Sequence, residues 1–99
     1  MKCLCFALVL SASAIAEPLT EQRQQQLQQL LVHDCGSCHG LTLKGGLGPS
    51  LLPEALFHKT DDYLVSTIRD GRKGTPMPPW KPFLSDNEIR WLVKTLRQM

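Results

Sequence analysis

Cys35-Gly36-Ser37-Cys38-His39 is the stretch with the clearest chemical content. Two thiols three residues apart, with an imidazole directly after the second, can serve three chemistries: zinc ligation, a thiol–disulfide pair, or covalent attachment of a haem. On a helical turn, residues i, i+3 and i+4 share one side. Cys35 and Cys38 can therefore each reach one vinyl group of a single porphyrin while His39 projects toward its iron. A structural zinc needs four ligands. The motif supplies three, and His33 or His58 would have to complete the set. Adjacent ligands such as Cys38 and His39 suit a tetrahedron poorly, and no second C-x-x-C exists. A thioredoxin-like pair belongs in a βαβ setting, and no alternating strand pattern runs anywhere in this chain. The spacing points to one haem c, with its iron, held by Cys35, Cys38 and His39.

An iron bound on one face by His39 asks for a donor on the other. Downstream of the apolar N-terminal stretch, His33, His58, Met77 and Met99 carry suitable atoms. Met77 comes 38 residues after His39, within "GTPMPPW". Pro76, Pro78 and Pro79 stiffen the backbone around it, so holding a weak thioether donor in place costs little ordering entropy. His58 is the alternative. His33 stands too close before Cys35 to swing to the opposite face, and Met99 is at the chain terminus. A His/Met pair raises the reduction potential and fills both axial positions, which suits outer-sphere electron transfer. No acid–base pair or nucleophile lies beside the motif, so the reading is an electron carrier and not an enzyme. An enzyme or gas sensor with an open iron would require a labile Met77.

The elements that must position these residues read as helices. "TEQRQQQLQQLLVHDC" predicts a first helix, N-capped by Thr20, with Leu27, Leu30 and Leu31 on one face and the glutamines on a solvated one. "LTLKGGLGPSLLPEALFHK" is mostly loop, broken by Gly45, Gly46, Gly48 and Pro49, with a short helical turn in "LPEALFH". "TDDYLVSTIRDG" predicts a helix capped by Thr60, with Leu64 and Ile68 as its apolar pair and Gly71 as its stop. Four prolines between 76 and 82 exclude regular structure there. "LSDNEIRWLVKTLRQM" is the clearest helix. Ser85 and Glu88 form a capping box, Leu84 and Ile89 a hydrophobic staple, and Ile89, Leu92, Val93 and Leu96 the apolar stripe. The fold class is all-α.

The chain has 99 residues, enough for one small domain. It opens with Met1-Lys2, the apolar run "CLCFALVL" and the small residues "SASAIA". This is the pattern of a secretory leader, 1–16, cleaved after Ala16. The apolar run falls short of the ~20 residues a membrane span needs. The domain is then 17–99, exported to the periplasm, with no membrane association after cleavage. Removal of Lys2 leaves ten basic residues against nine acidic ones. That balance argues against nucleic acid as a partner. Cys3 and Cys5 leave with the leader, so Cys35 and Cys38 are the only thiols of the domain. So short a chain struggles to bury enough apolar surface alone, and a large apolar cofactor would complete its core. No extra apolar stripe calls for a second copy, so a monomer is expected.

With "CGSCH", "GLGPSL", "GTPMPPW" and a C-terminal amphipathic helix in that order, residues 20–99 resemble a class I c-type cytochrome. The resemblance implies a cytochrome c-like fold, a few short helices wrapped around one haem with the terminal helices crossing. It also implies that the Pro49 carbonyl accepts the proton of the ligand histidine's outer nitrogen, fixing the ring. By position Trp80 is a candidate to cover a haem edge, and Trp91 to serve in packing. More narrowly, "GLGPSL" and "GTPMPPWKPFLSDNEI" are similar to the small cytochromes encoded with the haem c/haem d nitrite reductase of denitrifying bacteria. That likeness implies single-electron donation to nitrite reductase, or an acceptor's part in maturing d-type haem. Lys44, Arg72, Lys73 and Lys81 flank the ligand loops and would form a positive rim for an acidic redox partner.

Overall fold

The computed structural model describes residues 3–5, 7–8 and 18–99. The expected leader lies largely outside the described residues, and its cleavage point after Ala16 lies wholly outside them. The order is α1 (Glu21–Leu30), a π-helical turn (Leu31–Cys35), α2 (Gly36–His39), α3 (Pro53–Leu56), α4 (Asp61–Asp70) and α5 (Asp86–Arg97). Among the described residues there is no strand, and no helix is long and apolar enough to cross a membrane.

Each long helix begins where side-chain chemistry dictates. Thr20, Thr60 and Ser85 are all extended, and their hydroxyls accept from the backbone N–H of Arg23, Tyr63 and Glu88. At α5 the box is reciprocal: Glu88 N–H donates to Ser85 Oγ at 3.1 Å, and Ser85 N–H to Glu88 Oε1 at 2.9 Å. Such a cap contributes ~1 kcal/mol. Gly71, at φ +68°, ends α4 in a conformation that other residues adopt only under strain.

The first helix runs further than the sequence predicts. It continues from Leu30 through the π-helical turn to His39. Within that turn the Gly36 N–H donates to the Leu31 carbonyl five residues back. The widened turn rotates α2 relative to the Leu27 stripe, and such turns occur often at functional sites.

The core joins Leu27, Leu31, Leu43, Leu56, Val65, Leu84, Ile89, Leu92, Val93 and Leu96. Fully burying one such side chain stabilises by ~1.5–3 kcal/mol. α5 is the hub: it packs along α4 and also touches α1 and α3. An ion pair between Arg23 of α1 and Glu88 of α5 ties the terminal helices together. Two core residues differ from the sequence reading. On α4 the buried residue is Val65, while Leu64 and Ile68 are only half-buried. They are half-buried because they face a cleft. Leu43, in what reads as open loop, is 3 % exposed and sits at φ +60°.

Candidate functional site

A cleft of about 800 Å³ opens between α1, α4, α5 and the two long loops. Its walls are mostly aliphatic: Leu30, Leu31, Leu51, Leu56, Leu64, Ile68, Leu84, Leu92 and Leu96. Five of the ten core residues, Leu31, Leu56, Leu84, Leu92 and Leu96, therefore face it directly. The volume lies in the upper part of the range for ligand sites, ~300–1,000 Å³. A smaller hollow of about 360 Å³, lined by Asp61, Val65, Arg90, Val93, Lys94, Arg97 and Gln98, contains none of the site residues expected from sequence.

All five predicted site residues line the larger cleft: Cys35, Cys38, His39, Pro49 and Met77. The competing donors do not. His33 and His58 are exposed, Met99 is 62 % exposed, and none of the three lines the cleft. Among the described residues no three His, Cys, Asp or Glu side chains gather as a metal-binding group.

α2 and the end of the π-helical turn carry Cys35, Cys38 and His39 on one short stretch of helix. Both thiols are unbridged. Burial, with the Asp34 carboxylate beside it, pushes the Cys35 thiol up to about 11.

His39 is oriented by the loop that comes after it. Its Nδ1 lies 2.7 Å from the Pro49 carbonyl oxygen. That oxygen can only accept, so Nδ1 carries the proton and Nε2 keeps its lone pair for a metal. The loop is pinned to the helix end by backbone bonds: Gly48 N–H to the Cys38 carbonyl at 2.8 Å and Gly45 N–H to the His39 carbonyl at 2.8 Å.

Met77 is held by a different loop. The Arg72 N–H donates to the Met77 carbonyl at 3.2 Å, and the Met77 N–H to Thr75 Oγ1 at 3.3 Å. Thr75 Oγ1 in turn donates to the Arg72 carbonyl at 2.7 Å. Farther along, Trp80 N–H reaches the Ile68 carbonyl at 3.0 Å, anchoring the loop to α4. Trp80 lines the cleft and stacks edge-on against Phe83, whereas Trp91 packs on the core away from it.

Sequence reasoning misses a polar corner of the cleft. Lys59, Tyr63, Arg72 and Thr75 all line it. The Arg72 guanidinium donates to the Tyr63 hydroxyl at 3.1 Å, and the Lys59 ammonium sits 4.9 Å from the Tyr63 ring centroid. By sequence Arg72 belongs with the rim lysines, but the fold hydrogen-bonds it into this corner. Tyr63 beside Leu64 at the start of an amphipathic helix is the one local signal of it.

The donor set and the apolar walls fit a haem: thiols for two thioethers, an imidazole with Nε2 available, a thioether sulfur lining the same cleft, and cations at one corner. Fold and cleft thus define a helical protein built round a single covalently held haem. Comparison with known proteins agrees. A family model described as "Cytochrome C oxidase, cbb3-type, subunit III" matches residues 22–94. Cytochrome c55X of Pseudomonas aeruginosa is 53 % identical over 93 residues, covering 94 % of this chain and 77 % of that protein. Among solved structures, the c-type cytochrome NirC superposes with a TM-score of 0.79 at 54 % identity, over 81 % of this chain and 94 % of that one. The dihydro-heme d1 dehydrogenase NirN, solved in complex with DHE, superposes with a TM-score of 0.66 at 35 % identity. The match covers 72 % of this chain and 15 % of NirN. The chain belongs to the c-type cytochromes, in the family of haem domains that the cbb3-type model represents. Its cofactor is covalently bound haem c, and the proteins of this family act as electron carriers.

Proposed function

We propose that this chain is a periplasmic single-electron carrier of denitrification, exported by the leader 1–16 and active as the domain 17–99. Cys35 and Cys38 would hold the haem through thioethers, and His39 Nε2 and Met77 Sδ would be its axial ligands. When bound, the haem iron supplies a one-electron couple between ferrous and ferric. The chain's own residues do the rest. Pro49 holds the His39 ring through Nδ1 and raises its basicity. Thr75 and Arg72 hold the Met77 loop. The leucines of α1, α4 and α5 that line the cleft would exclude water from around the haem. With His39 and Met77 both holding the iron, no open position would remain for a substrate, which favours a carrier over an enzyme. The observation that carries this reading is that Met77, 38 residues beyond His39, lines the same cleft as His39 and both thiols, while His33, His58 and Met99 do not.

The physiological acceptor is proposed to be a nitrite reductase, approached through the positive rim of Lys44, Arg72, Lys73 and Lys81, all exposed. The likeness to NirN supports a second reading. Oxidising a dihydro-haem by loss of two hydrogens releases two electrons and two protons; a one-electron carrier could take the electrons in two successive encounters while the protons pass to solvent. Stopped-flow mixing separates the two. The first reading expects the reduced chain to be oxidised rapidly by nitrite reductase. Rapid reduction of the oxidised chain by a working d1 dehydrogenase, with no transfer to nitrite reductase, would replace it with the second.

A further inference from the structure

We infer that Gly48 is a positioning residue for the His39 imidazole, fixing the plane of the ring and, through it, the balance between the two oxidation states of the iron. This rests on the assignment of His39 as an iron ligand. A Cβ built on Gly48 would lie 2.8 Å from both Cε1 and Nδ1 of His39 and 3.3 Å from Cγ. Ordinary contact between carbons is ~3.5–4.0 Å. All three atoms belong to the same ring, so the Gly48 backbone lies directly against the imidazole. Space, not backbone conformation, is what demands glycine here.

That contact closes a small circuit. The Gly48 N–H donates to the carbonyl of Cys38, the residue before His39, and the Gly48 carbonyl accepts from Gly46 N–H at 2.9 Å. The next carbonyl, that of Pro49, accepts from His39 Nδ1. The peptide that touches the ring is therefore tied both to the helix turn that bears the ring and to the ring's own nitrogen. The imidazole cannot turn toward Gly48, and turning away would lengthen the 2.7 Å bond. A methyl group at Gly48 must displace either the ring or the loop, and both weaken that bond. The bond makes the ligating nitrogen more basic and so favours the more highly charged ferric iron. Weakening it shifts the balance toward ferrous.

The test uses the holoprotein. Gly48→Ala should raise the ferrous-to-ferric ratio at a fixed poise above that of the wild type, the direction set by the weaker bond to the histidine ring nitrogen. It should also move the hyperfine-shifted His39 ring resonances of the ferric protein. Gly46→Ala is the control. Its Cβ would meet the Cys38 carbonyl oxygen at 2.8 Å and Gly40 N at 3.4 Å, so it strains the same loop against backbone and not against the ring. Equal shifts in the two variants would reduce Gly48 to a structural role and overturn the inference, as would an unchanged ratio in Gly48→Ala. One measurement needs no variant. The ferrous, diamagnetic protein should give a nuclear Overhauser contact between a Gly48 Hα and the His39 Hε1, and its absence would also overturn the inference. A wild-type chain that holds no covalent haem would instead remove the His39 assignment itself, a failure visible before any glycine is changed.

Discussion

The Arg23–Glu88 pair offers the sharpest test of how the fold is held closed around its cleft. Glu88 does two jobs. One carboxylate oxygen accepts the Ser85 N–H at 2.9 Å, and the other accepts from Arg23 Nε, joining α5 to α1. Its side chain is 14 % exposed and that of Arg23 is 35 % exposed. An open surface pair contributes ~0–1 kcal/mol, and a hydrogen bond to a charged group ~1.5–3 kcal/mol. Half-buried as it is, this pair falls between the two. Glu88→Gln keeps the shape and one acceptor oxygen while removing the charge, and should cost about 1–2 kcal/mol. Glu88→Ala removes the cap as well and should cost about 1 kcal/mol more. In a domain of this size each kcal/mol corresponds to ~4–8 °C in Tm.

The pH dependence comes from the same contacts. The hydrogen bond from Arg23, opposed by partial burial and aided by the bond from Ser85, lowers the Glu88 carboxyl below the usual range. A carboxyl lowered in the folded state contributes stability that is fully present above its unfolded value, ~4.3. That stability is lost as pH falls through the folded value. The Glu88→Gln penalty should therefore be constant from neutral pH down to about 5 and shrink below it. Guanidinium denaturation of the holoprotein, monitored by helical circular dichroism, measures it. A double-mutant cycle with Arg23→Gln should return a coupling of ~1 kcal/mol. A Glu88→Gln penalty under about 0.3 kcal/mol at neutral pH, or one that grows in acid, would refute the reasoning.

Other predictions rest on the ligand loops and the rim. Met77→Ala should abolish the far-red band of the ferric protein, lower the reduction potential and let the ferrous protein bind carbon monoxide rapidly; a retained band would exclude Met77 as ligand. Gly71→Ala places a methyl 2.7 Å from the Pro78 carbonyl carbon and 2.8 Å from the Met77 carbonyl oxygen, at φ +68°. It should destabilise by about 2 kcal/mol or more and weaken the same far-red band, whereas Gly74→Ala, also at positive φ (+76°) but with nothing within 4 Å, carries backbone strain without a clash and should leave the band intact. Changing Lys44, Lys73 and Lys81 together to glutamine, and leaving Arg72 on Tyr63, should slow transfer to an acidic partner at low ionic strength and matter little at high. Stopped-flow rates that do not change at low salt would discard the docking rim.

The features legible in sequence divide from the rest along a physical line. Thr20, Thr60 and Ser85 are legible because capping is a bond between residues three apart. The α5 stripe is legible because its four buried residues repeat at helical spacing. The grouping of Cys35, Cys38 and His39 on one helical turn is legible for the same local reason, whereas the place of Met77 on the wall of the same cleft is set by the fold. The π-helical turn is not, since nothing in "LVHDC" departs from an ordinary helical pattern. Leu43 is hidden by its loop: a buried leucine at φ +60° is held there by Leu51 N–H on its carbonyl and by core contacts, which no local rule foresees. Val65 is hidden because the apolar face of α4 is divided, Val65 facing the core while Leu64 and Ile68 face the cleft. Arg23 with Glu88, Arg72 with Tyr63 and Gly48 under His39 are contacts made by the fold, not by neighbours in sequence.

One covalent haem among these residues, with His39 and Met77 on its iron, is the proposal on which the rest depends. The most direct measurement is the visible spectrum of the purified, exported protein, oxidised and reduced, before and after acid–acetone extraction. Colour should stay with the polypeptide, and the oxidised form should show a weak far-red band. Pigment that extracts into acetone, or a colourless protein, would contradict the attachment at Cys35 and Cys38. Retained haem without the far-red band would contradict Met77 and turn attention to His58 or an open iron.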